Sequence, residues 1–597
     1  MSADLVLING KVITLDSRSS IHQAVATKGQ RVVAVGTNEE VRALAGKDTR
    51  ILNLRGGTVL PGINDSHIHA ALYGGTRPPL ALDLRLPKGK SIEEIVKLVG
   101  EEVRKAKHGE WIKGIGWQGS QLRECLNDKI RLPTRWDLDP VSPNNPVYLI
   151  DFSVHGLWVN TKALELAGIT KDTMLVSGGR IEKDPATGEP TGMLWEFPAQ
   201  GLVMRAVPPW SRAQKREAIL SAMRELNSLG ITSITEGALG PGGTGYAGGL
   251  IDSECISIYN DLYNEGKLTV RVNIMFLFGD RGACSYRDFQ ELMPRMGIHS
   301  GFGNEWLRIA GVKIFADGVP MTARTAWMSQ EYPGGGKGSL TFPGDTEEAR
   351  CDEMMKIIAY AHHHGFQVGI HAVGDRATEE SINGLVKAIQ AEPKRLRHYI
   401  IHGAFVSESY IKLMAAYEIG FNKQPALGAG SSPSAGPVAQ TGTGAQNLRS
   451  LIDAGIRIAS GSDAPVTYPN WKLGVEMAVT RQGLTREEAI RIYTTGGAWQ
   501  DHMENVKGSI EAGKLADLCI LDQDILTLDA PRIRDITTVA TISGGKIVYG
   551  TGNLDQRARR KERSALGSRE KQFKSRAGET TPEGLNTNSR SARTRTF

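Results

Sequence analysis

The stretch "GTVLPGINDSHIH", residues 57–69, begins as an apolar strand and ends in two histidines separated by one residue. Because successive side chains of a strand point to opposite faces, His67 and His69 project to the same side while Ile68 turns away. Two imidazoles on one rigid element form half of a metal site. The pair alone is a weak signal in a chain with 13 histidines, so its meaning depends on partners elsewhere in the chain.

Seven further stretches have the composition of buried strands, and helix-like stretches separate most of them. They lie at residues 230–237, 268–276, 307–318, 366–375, 397–405, 418–425 and 456–465. Eight steps of strand and helix predict an α/β fold of the (β/α)8 TIM-barrel type, whose functional residues stand at the carboxyl ends of the strands. The connection across residues 70–228 is too long for a single helix and predicts an inserted lobe after the first strand.

Short β-like stretches also occur at both ends of the chain, such as "DLVLING" (4–10) near the start and "TVATISG" (538–544) near the finish. Separated ends of the same character predict one small composite β-sandwich built from both termini. We therefore expect β-sandwich parts at residues 1–57 and 508–552, a barrel at 58–507, and a basic disordered tail at 553–597.

The composition, with 40% hydrophobic and 23% charged residues over 597 positions, is that of a globular protein with a large core. No apolar run is long enough for a membrane span, and the N-terminus lacks the regions of a secretory signal. Five scattered cysteines without a C-x-x-C pair favour reduced thiols in the cytoplasm and disfavour a thiolate metal site. We expect a cytoplasmic protein that binds no membrane.

The net charge of +6 is concentrated at the C-terminus. Residues 553–597 hold 12 Lys/Arg and 5 Asp/Glu, so this tail is +7 and the rest of the chain is −1. A body without basic excess predicts no nucleic-acid binding. The tail is poor in large apolar residues, which predicts disorder. Its "RARRKER" run is compatible with a nuclear address, with a weak polyanion contact, or with a solvated tail that carries no address.

Two other segments carry structural expectations. Residues 428–447, rich in glycine, serine and proline, predict a mobile loop and a candidate lid after strand seven. The three consecutive histidines at 362–364 end a predicted amphipathic helix, and we expect them at the surface.

The partners of His67 and His69 are polar residues near the ends of predicted strands four, five, six and eight. They are Lys313, His371, His402 and Asp463. A barrel brings these strand ends to one mouth, so the six residues converge. Several imidazoles with one anionic oxygen suit zinc or another divalent transition ion, and we expect one or two ions per chain. His371 or His402 alone would be explained as a core histidine; their joint recurrence at strand ends favours the metal site.

These residues lie within motifs that resemble the amidohydrolase superfamily, specifically the amidohydrolase-3 (YtcJ-like) family that includes N-substituted formamide deformylase. The resemblance runs from about residue 3 to residue 550. The motifs, in order, are "PGINDSHIH", "GLWVNTKALELAGI", "GEPTGMLWE", "GITSITEG", "VKIFADG", "IHAVGDRA", "RHYIIHG", "GSDAPV" and "GSIEAGKLADLCILD".

The resemblance implies a role for each candidate ligand. His67, His69 and Asp463 would hold a first ion, and His371 with His402 a second. Lys313 matches a lysine that becomes carboxylated and bridges the two ions, which is chemically consistent because an ammonium group cannot ligate a cation. The alternative is that Lys313 is a rim residue paired with Asp317.

Two positions depart from the family pattern. Ile401 stands where the family often has an acidic residue before the histidine of strand six, and Asn64 replaces an apolar or aromatic residue before "DSH". Neither change removes a ligand. They leave the fine tuning of the metal site and the choice of substrate open.

The substrate pocket is expected to draw on the inserted lobe and on the segment after strand four. Candidate substrate-binding residues are Trp117 and His155 in the lobe and Asp317 and Arg324 beyond Lys313. The motif of His155 matches a family segment close to the active-site mouth.

The expected activity is hydrolysis of a C–N bond of a small molecule by metal-activated hydroxide, with Asp463 as general base and then general acid. The alternatives are another chemistry on the same scaffold, such as decarboxylation, isomerisation or C–O or C–C hydrolysis, or a binding protein without catalysis. The expected partner is a small-molecule substrate, and a homodimer is compatible with the sequence.

Overall fold

The computed structural model describes residues 2–550 except 86–87, 126–130, 175–178, 244–245, 280–284, 321–322, 333–334 and 428–447. The predicted lid at 428–447 and the predicted disordered tail at 553–597 therefore lie outside the described residues. In the described part, no helix is long and apolar enough to cross a membrane.

Strands within the described residues are, in chain order, β1 (Ala3–Ile8), β2 (Lys11–Ile13), β3 (Ile21–His22), β4 (Ala24–Lys28), β5 (Arg31–Gly36), β6 (Ala45–Asn53), β7 (Thr58–Pro61), β8 (Ile63–Ile68), β9 (Leu82–Asp83), β10 (Ile112–Trp117), β11 (Val147–Asp151), β12 (Gly156–Val159), β13 (Arg180–Lys183), β14 (Pro190–Trp195), β15 (Ile231–Leu239), β16 (Arg271–Leu277), β17 (Leu307–Phe315), β18 (Gln367–Ala372), β19 (Tyr399–His402), β20 (Gly420–Lys423), β21 (Ile458–Ser460), β22 (Leu518–Leu521), β23 (Thr538–Ser543) and β24 (Lys546–Tyr549).

The α-helices of the same residues are α1 (Asn38–Arg42), α2 (Ala70–Gly75), α3 (Ile92–Val103), α4 (Arg135–Leu138), α5 (Thr161–Ala167), α6 (Glu196–Met204), α7 (Arg212–Ser228), α8 (Ser253–Asn264), α9 (Tyr286–Met296), α10 (Glu347–His363), α11 (Asp375–Ala391), α12 (Glu408–Ala416), α13 (Leu448–Asp453), α14 (Trp471–Arg481), α15 (Arg486–Arg491) and α16 (Thr495–Gln500). Short 3-10 turns lie at Gly119–Gln121, Arg123–Cys125, Asp139–Val141, Pro241–Gly243, Tyr246–Gly248 and Ala530–Asp535.

Eight parallel strands confirm the predicted α/β barrel. They form one sheet in the order β21-β20-β19-β18-β17-β16-β15-β8, and each overlaps one of the eight predicted stretches. At least one helix separates each consecutive pair. The ends of the sheet adjoin, because the Asp463 N–H donates to the His67 carbonyl at 2.7 Å and the Ser462 N–H donates to Asp65 Oδ1 at 2.8 Å. The carboxyl ends of the strands therefore surround one mouth.

Local sequence signals define the helices that pack around the barrel. Helix α9, for example, is capped at its amino end by Ser285, whose hydroxyl accepts the Asp288 N–H while the Asp288 carboxylate accepts the Ser285 N–H. Gly297 caps its carboxyl end, with a φ of 62° in the left-handed region that glycine adopts without strain. This reciprocal cap and glycine stop are the physical reason why the chain leaves the helix there.

The first predicted stretch is not one strand but two. Strand β7 pairs with β22 of the C-terminal region, whereas β8 begins the barrel. Gly62 lies between them, and a Cβ there would come within 2.0 Å of the Thr232 hydroxyl oxygen. The chain passes from one sheet to the other through this glycine because no larger residue fits.

The composite β-region is built from both ends of the chain, as predicted. One sheet has the order β5-β4-β1-β6 and comes from the N-terminal segment alone. The other has the order β24-β23-β22-β7-β2-β3 and combines both termini. The boundaries expected for the four units stay a prediction.

A buried ion pair ties the barrel to this β-region. Arg271, the first residue of β16, donates through Nε and Nη2 to the two oxygens of Asp517 at 2.6 and 3.0 Å. Asp517 also accepts the Gly544 N–H at 2.7 Å, and its carbonyl accepts the Gly62 N–H. Removal of one partner from such a buried pair costs about 3–5 kcal/mol because an uncompensated charge is left behind.

The connection between β8 and β15 contains the predicted inserted lobe. Its sheet has the order β13-β14-β12-β11-β10-β9, with a core of its own. Helices α2 and α7, at the two ends of the connection, pack against each other, and α7 also contacts β15. The lobe proper thus leaves the barrel after α2 and returns before α7.

A polar cluster fills the barrel near the amino ends of its strands. The carboxylate of Asp501 accepts hydrogen bonds from Asn64, Thr235 and Asn273 at 2.9–3.1 Å and from Lys507 Nζ at 2.6 Å. Asn64, which departs from the family pattern, therefore has a structural partner away from the strand ends that carry the candidate ligands.

The histidines at 362–364 divide between surface and interior. His363 and His364 are exposed, but the expectation for His362 was wrong, because it is buried against His398. His398 Nδ1 accepts the Val368 N–H at 2.9 Å, so its Nε2 carries the proton that faces His362 Nδ1 at 2.8 Å. His362 Nε2 then donates to the Glu392 carbonyl at 2.7 Å. This chain of bonds is complete with both rings neutral.

We predict that buried His398 makes the folded protein less stable as the pH is lowered. Burial, with a smaller effect of His362, lowers the pKa of His398 to about 3 from an ordinary value of 6.5. Below pH 6.5 the unfolded chain therefore binds a proton that the folded chain refuses, and stability declines by up to about 1.4 kcal/mol per pH unit toward pH 3. In His398→Gln this contribution is absent. The difference in melting temperature between this variant and the wild type should therefore shrink as the pH is lowered from 7.5 to 5.

The control is Val368→Ala on the neighbouring strand, which removes buried packing but no titratable group, so its difference in melting temperature from the wild type should not depend on pH. A difference in melting temperature between His398→Gln and the wild type that stays equally constant across this range would contradict the prediction.

Candidate metal centre

Six candidate ligands stand together at the carboxyl ends of the barrel strands. They are His67 near the end of β8, His69 just beyond it, Lys313 in β17, His371 in β18, His402 at the end of β19 and Asp463 shortly after β21. All are buried except His402, which is partly buried. The six line one small cavity.

The distances within the cluster are short enough for shared ligation of a cation. The Nε2 atoms of His67 and His69 lie 3.2 and 3.4 Å from Asp463 Oδ1, and His402 Nε2 lies 4.0 Å from Oδ2. His67, His402 and Asp463 can each place one ligand atom within 4.8 Å of the others. The His371 ring centroid is 4.6 Å from that of His402.

The protonation states suit a cation as well. Burial lowers the pKa of His402 to about 4 and holds the pKa values of His67 and His371 well below the ordinary value. For Asp463, burial opposes ionisation, but the neighbouring His67 and His69 imidazoles outweigh it and hold its pKa well below the usual range. Neutral imidazoles around one carboxylate are the donor set that zinc and similar divalent ions prefer.

Lys313 is a buried amine whose Nζ has no hydrogen-bond partner among the described residues. Burial lowers its pKa to about 7, against an opposing effect of Asp463. The alternative pairing with Asp317 is not formed, since the Asp317 carboxylate accepts the backbone N–H groups of Val373, Gly374 and Trp327. An orphaned amine that can lose its proton fits the lysine that a carbamate bridge requires.

Neighbouring side chains orient the ligands. His402 Nδ1 faces Gln424 Oε1 at 2.7 Å, so Nδ1 donates and Nε2 keeps a lone pair for a cation. The backbones of His402 and Asp463 have φ values of 69° and 57°, in a region that costs a non-glycine residue about 1–3 kcal/mol. Strained backbone at two candidate ligands is typical of a functional site.

Glu236 holds the segment that follows His69. Its Oε2 accepts the N–H groups of Ala70 and Ala71 at 3.0 and 3.3 Å and the Tyr259 hydroxyl at 2.8 Å. Burial raises the pKa of Glu236 to about 8 despite these bonds. The contact fixes where the chain turns into α2 and therefore where His69 stands.

The cavity between the ligands is small and has a wall from the inserted lobe. It encloses about 30 Å³, which is room for one or two water-sized groups. His155 belongs to that wall, 5.4 Å from His371 between ring centroids. Its Nδ1 lies 2.7 Å from Glu196 Oε2, and both side chains are buried.

The family is decided by a comparison with family models. A model described as "Amidohydrolase family" matches residues 50–549. The chain belongs to the amidohydrolase family. The predicted resemblance is thereby confirmed, and membership supports a hydrolase.

This amidohydrolase is similar over nearly its whole length to two bacterial proteins. The N-substituted formamide deformylase of Arthrobacter pascens is 29% identical over 573 residues, which cover 92% of this chain and 98% of the relative. The putative amidohydrolase YtcJ of Bacillus subtilis is 29% identical over 560 residues, covering 90% and 98%.

Solved structures share the fold of this amidohydrolase. An uncharacterized metal-dependent hydrolase from Pyrococcus furiosus covers 88% of this chain and 100% of its own, at a TM-score of 0.64 and 24% identity. A protein of the same description from Pyrococcus horikoshii reaches a TM-score of 0.65 at 22% identity, covering 88% and 99%.

The four candidate substrate-binding residues of this amidohydrolase lie in different places. His155 lines the cavity of the cluster. Trp117 packs against Trp158 inside the lobe and donates to the Leu149 carbonyl, so its position supports a packing role. Asp317 is engaged by the three backbone N–H groups named above. Arg324 lines a separate neighbouring cavity of about 550 Å³.

Sequence reasoning did not single out Glu196, Glu236 or Gln424. All three lie inside stretches already quoted, namely "GEPTGMLWE", "GITSITEG" and strand seven. An acidic or amide residue at the end of an otherwise apolar strand was the available signal. The second departure, Ile401, packs in a buried apolar cluster with Met275, Ala310 and Tyr399.

We predict that Gln424→Leu weakens divalent metal binding by about 10–100-fold, because His402 loses the acceptor that fixes its tautomer. The measurement is zinc affinity by competition with a chromogenic chelator. Gln390→Leu, which removes an exposed amide that contacts Tyr417 away from the cluster, is the control. Equal zinc affinities of Gln424→Leu and the wild type would contradict this role for Gln424.

Proposed function

We propose that this amidohydrolase is a metal-dependent enzyme that hydrolyses a C–N bond of a small-molecule amide, formamide or related compound. The observation that carries the proposal is the convergence of four imidazoles, the Asp463 carboxylate and the orphaned Lys313 amine on one buried cavity. The full-length similarity to N-substituted formamide deformylase supports the choice of bond.

The proposed ligands divide into two sets. His67, His69 and Asp463 would hold one ion, His371 and His402 a second, and carboxylated Lys313 would bridge them; zinc is the expected metal, with one or two ions per chain. When bound, such a cation would polarise the substrate carbonyl and lower the pKa of water toward about 7. The neutral imidazoles and the unpartnered amine support this assignment.

Asp463 is the proposed proton carrier. Its carboxylate is held in the charged form and lies at the centre of the cluster, within 3.2–4.0 Å of three imidazole nitrogens. In the proposed reaction it takes a proton from the attacking water and delivers it to the leaving nitrogen, so that an amine and a carboxylic acid are released.

The proposed cellular location, partners and assembly are those expected from the sequence. We propose a cytoplasmic enzyme acting on a small-molecule substrate, independent of nucleic acid and membranes, with a homodimer as the assembly to test by light scattering. Reduced thiols are consistent with this location, since four cysteines of the described chain are free.

The test of the proposed function is a substrate panel. Protein stripped by a chelator and reloaded with zinc should hydrolyse N-substituted formamides or related amides in preference to lactones, and the stripped protein should be inactive. Asp463→Asn should lower turnover by more than about a hundredfold with the fold intact by circular dichroism. Zinc-loaded protein that cleaves no C–N bond, or an Asp463→Asn variant with near-wild-type rates, would refute the proposal.

We predict that Lys313→Ala loses metal and activity together, because the anionic bridge between two cations disappears. Metal content by mass spectrometry and turnover should both fall, the affinity by at least about 10–100-fold. Acetate or propionate should restore part of both by occupying the vacated space. Lys313→Arg should not rescue, since a guanidinium stays cationic and forms no carbamate. Retained metal and activity in Lys313→Ala without added carboxylate would rule out the bridge.

A further inference from the structure

Apart from the candidate ligands, the lining of the metal cavity is mainly apolar. Among the described residues that line it, seven carry apolar side chains in addition to Tyr246. The hydroxyl groups of Ser153 and Tyr246 donate hydrogen bonds within the protein at 2.8–3.2 Å. His155 is compensated by the buried Glu196 carboxylate at 2.7 Å. Beyond the ligands, the described lining therefore presents no uncompensated charge to a substrate.

Three aromatic rings from separate parts of the chain form one side of this lining. Phe197 belongs to α6 in the lobe, Tyr246 to the 3-10 turn after β15, and Phe315 to β17. The Phe197 ring centroid lies 5.1 Å from that of Tyr246 and 5.3 Å from that of Phe315, with interplanar angles of 80° and 68°. Edge-to-face contacts of this kind are a favoured arrangement of aromatic pairs. The three rings together are the aromatic wall of the cavity.

Neighbouring contacts hold the aromatic wall in place. The Tyr246 hydroxyl is bonded to a backbone carbonyl, and Phe315 is fixed by its barrel strand. Phe197 follows Glu196, whose carboxylate contacts His155 and whose N–H donates to the His155 carbonyl at 2.8 Å. Each of the three rings is at most 8% exposed. A substrate therefore meets a close-packed apolar surface that cannot move aside without loss of packing.

The aromatic wall stands directly beside the candidate ligands. The Phe315 ring centroid lies 5.3 Å from that of His371 and 4.5 Å from Lys313 Nζ. The enclosed space is only about 30 Å³. A group attached to the reacting atoms of a substrate must therefore contact this wall. In a formamide the carbonyl carbon carries only hydrogen, so the variable group is the substituent on nitrogen.

We propose that the aromatic wall receives the substituent on the scissile nitrogen, that this substituent is neutral and apolar, and that Phe197 is the specificity-determining residue that limits its size. The proposal rests on the proposed function and deepens it. A charged substituent would lose its hydration at this wall without gaining a partner. A large substituent would collide with a ring that its neighbours hold in place.

The first experiment compares N-methylformamide with N-benzylformamide on zinc-loaded protein. Phe197→Ala removes the ring and leaves an apolar space next to the cluster. The ratio of kcat/KM for the benzyl over the methyl compound should therefore rise at least about tenfold relative to the wild type. A merely structural role of Phe197 would lower both values together and keep the ratio constant.

A buried ring outside the cavity lining provides the matched control. Phe289 in α9 packs against Phe278 at 4.9 Å between ring centroids. Phe289→Ala removes a comparable amount of packing and should leave the benzyl-to-methyl ratio unchanged. If either alanine variant does not fold, the leucine variants at the same two positions give the same comparison with a smaller change.

The second experiment tests the charge of the substituent. N-isobutylformamide and N-formylglycine have similar shapes, but only the second carries a carboxylate. Wild-type protein should hydrolyse the neutral compound with a kcat/KM at least about a hundredfold higher, because the wall leaves a buried carboxylate without a partner.

Binding is measured apart from turnover with N-methyl-N-hydroxyformamide and N-benzyl-N-hydroxyformamide, which chelate a metal through two oxygens and carry the same substituents. In calorimetry on zinc-loaded protein, the affinity of the benzyl compound relative to the methyl compound should rise at least about tenfold in Phe197→Ala.

Unchanged ratios of kcat/KM and of affinity in folded Phe197→Ala or Phe197→Leu overturn the size limit. Equal kcat/KM values for N-isobutylformamide and N-formylglycine overturn the neutral substrate class. If zinc-loaded wild type hydrolyses no formamide, the proposed function fails instead, and the affinities of the two hydroxyformamides still decide whether Phe197 limits the substituent.

Discussion

The backbone hydrogen bond from the Asp463 N–H to the His67 carbonyl joins the last barrel strand to the first. The bond from the Ser462 N–H to Asp65, between residues 397 positions apart, closes the same seam. The candidate metal centre depends on this closure, because its carboxylate comes from one side of the seam and its first two histidines from the other. Each other candidate ligand stands on a strand whose position in the ring follows from the same closure.

After closure of the strands, the second constraint on the site is the repulsion between its titratable side chains. A cluster of imidazoles with a lysine would repel itself if protonated, and burial removes those charges by lowering the pKa values of His402 and Lys313 to about 4 and 7. Polar neighbours such as Gln424 then hold the rings in one tautomer. The strained backbones of His402 and Asp463 persist because the surrounding strands leave them no alternative.

The barrel and the lobe contribute different parts of the chemistry. Barrel strands supply every candidate ligand, whereas the lobe supplies His155 and Glu196, the polar pair on the wall of the cavity. A barrel of this type supports many reactions, so the fold alone does not define the substrate. In the proposed function a substrate would therefore also meet side chains that the insertion supplies.

The amino-acid sequence by itself determined the eight strands, the composite β-region and the six candidate ligands, because strand patterning and motif order are local properties of the chain. It did not determine that "GTVLPGINDSH" divides at Gly62 between two sheets, that His362 is buried against His398, or that Trp117 lies in the core of the lobe. Nor did it reveal that Glu196 holds His155 or that Gln424 holds His402. Those pairings join residues distant in sequence, and only the packing of loops at the barrel mouth decides which polar groups meet and which are shielded from water.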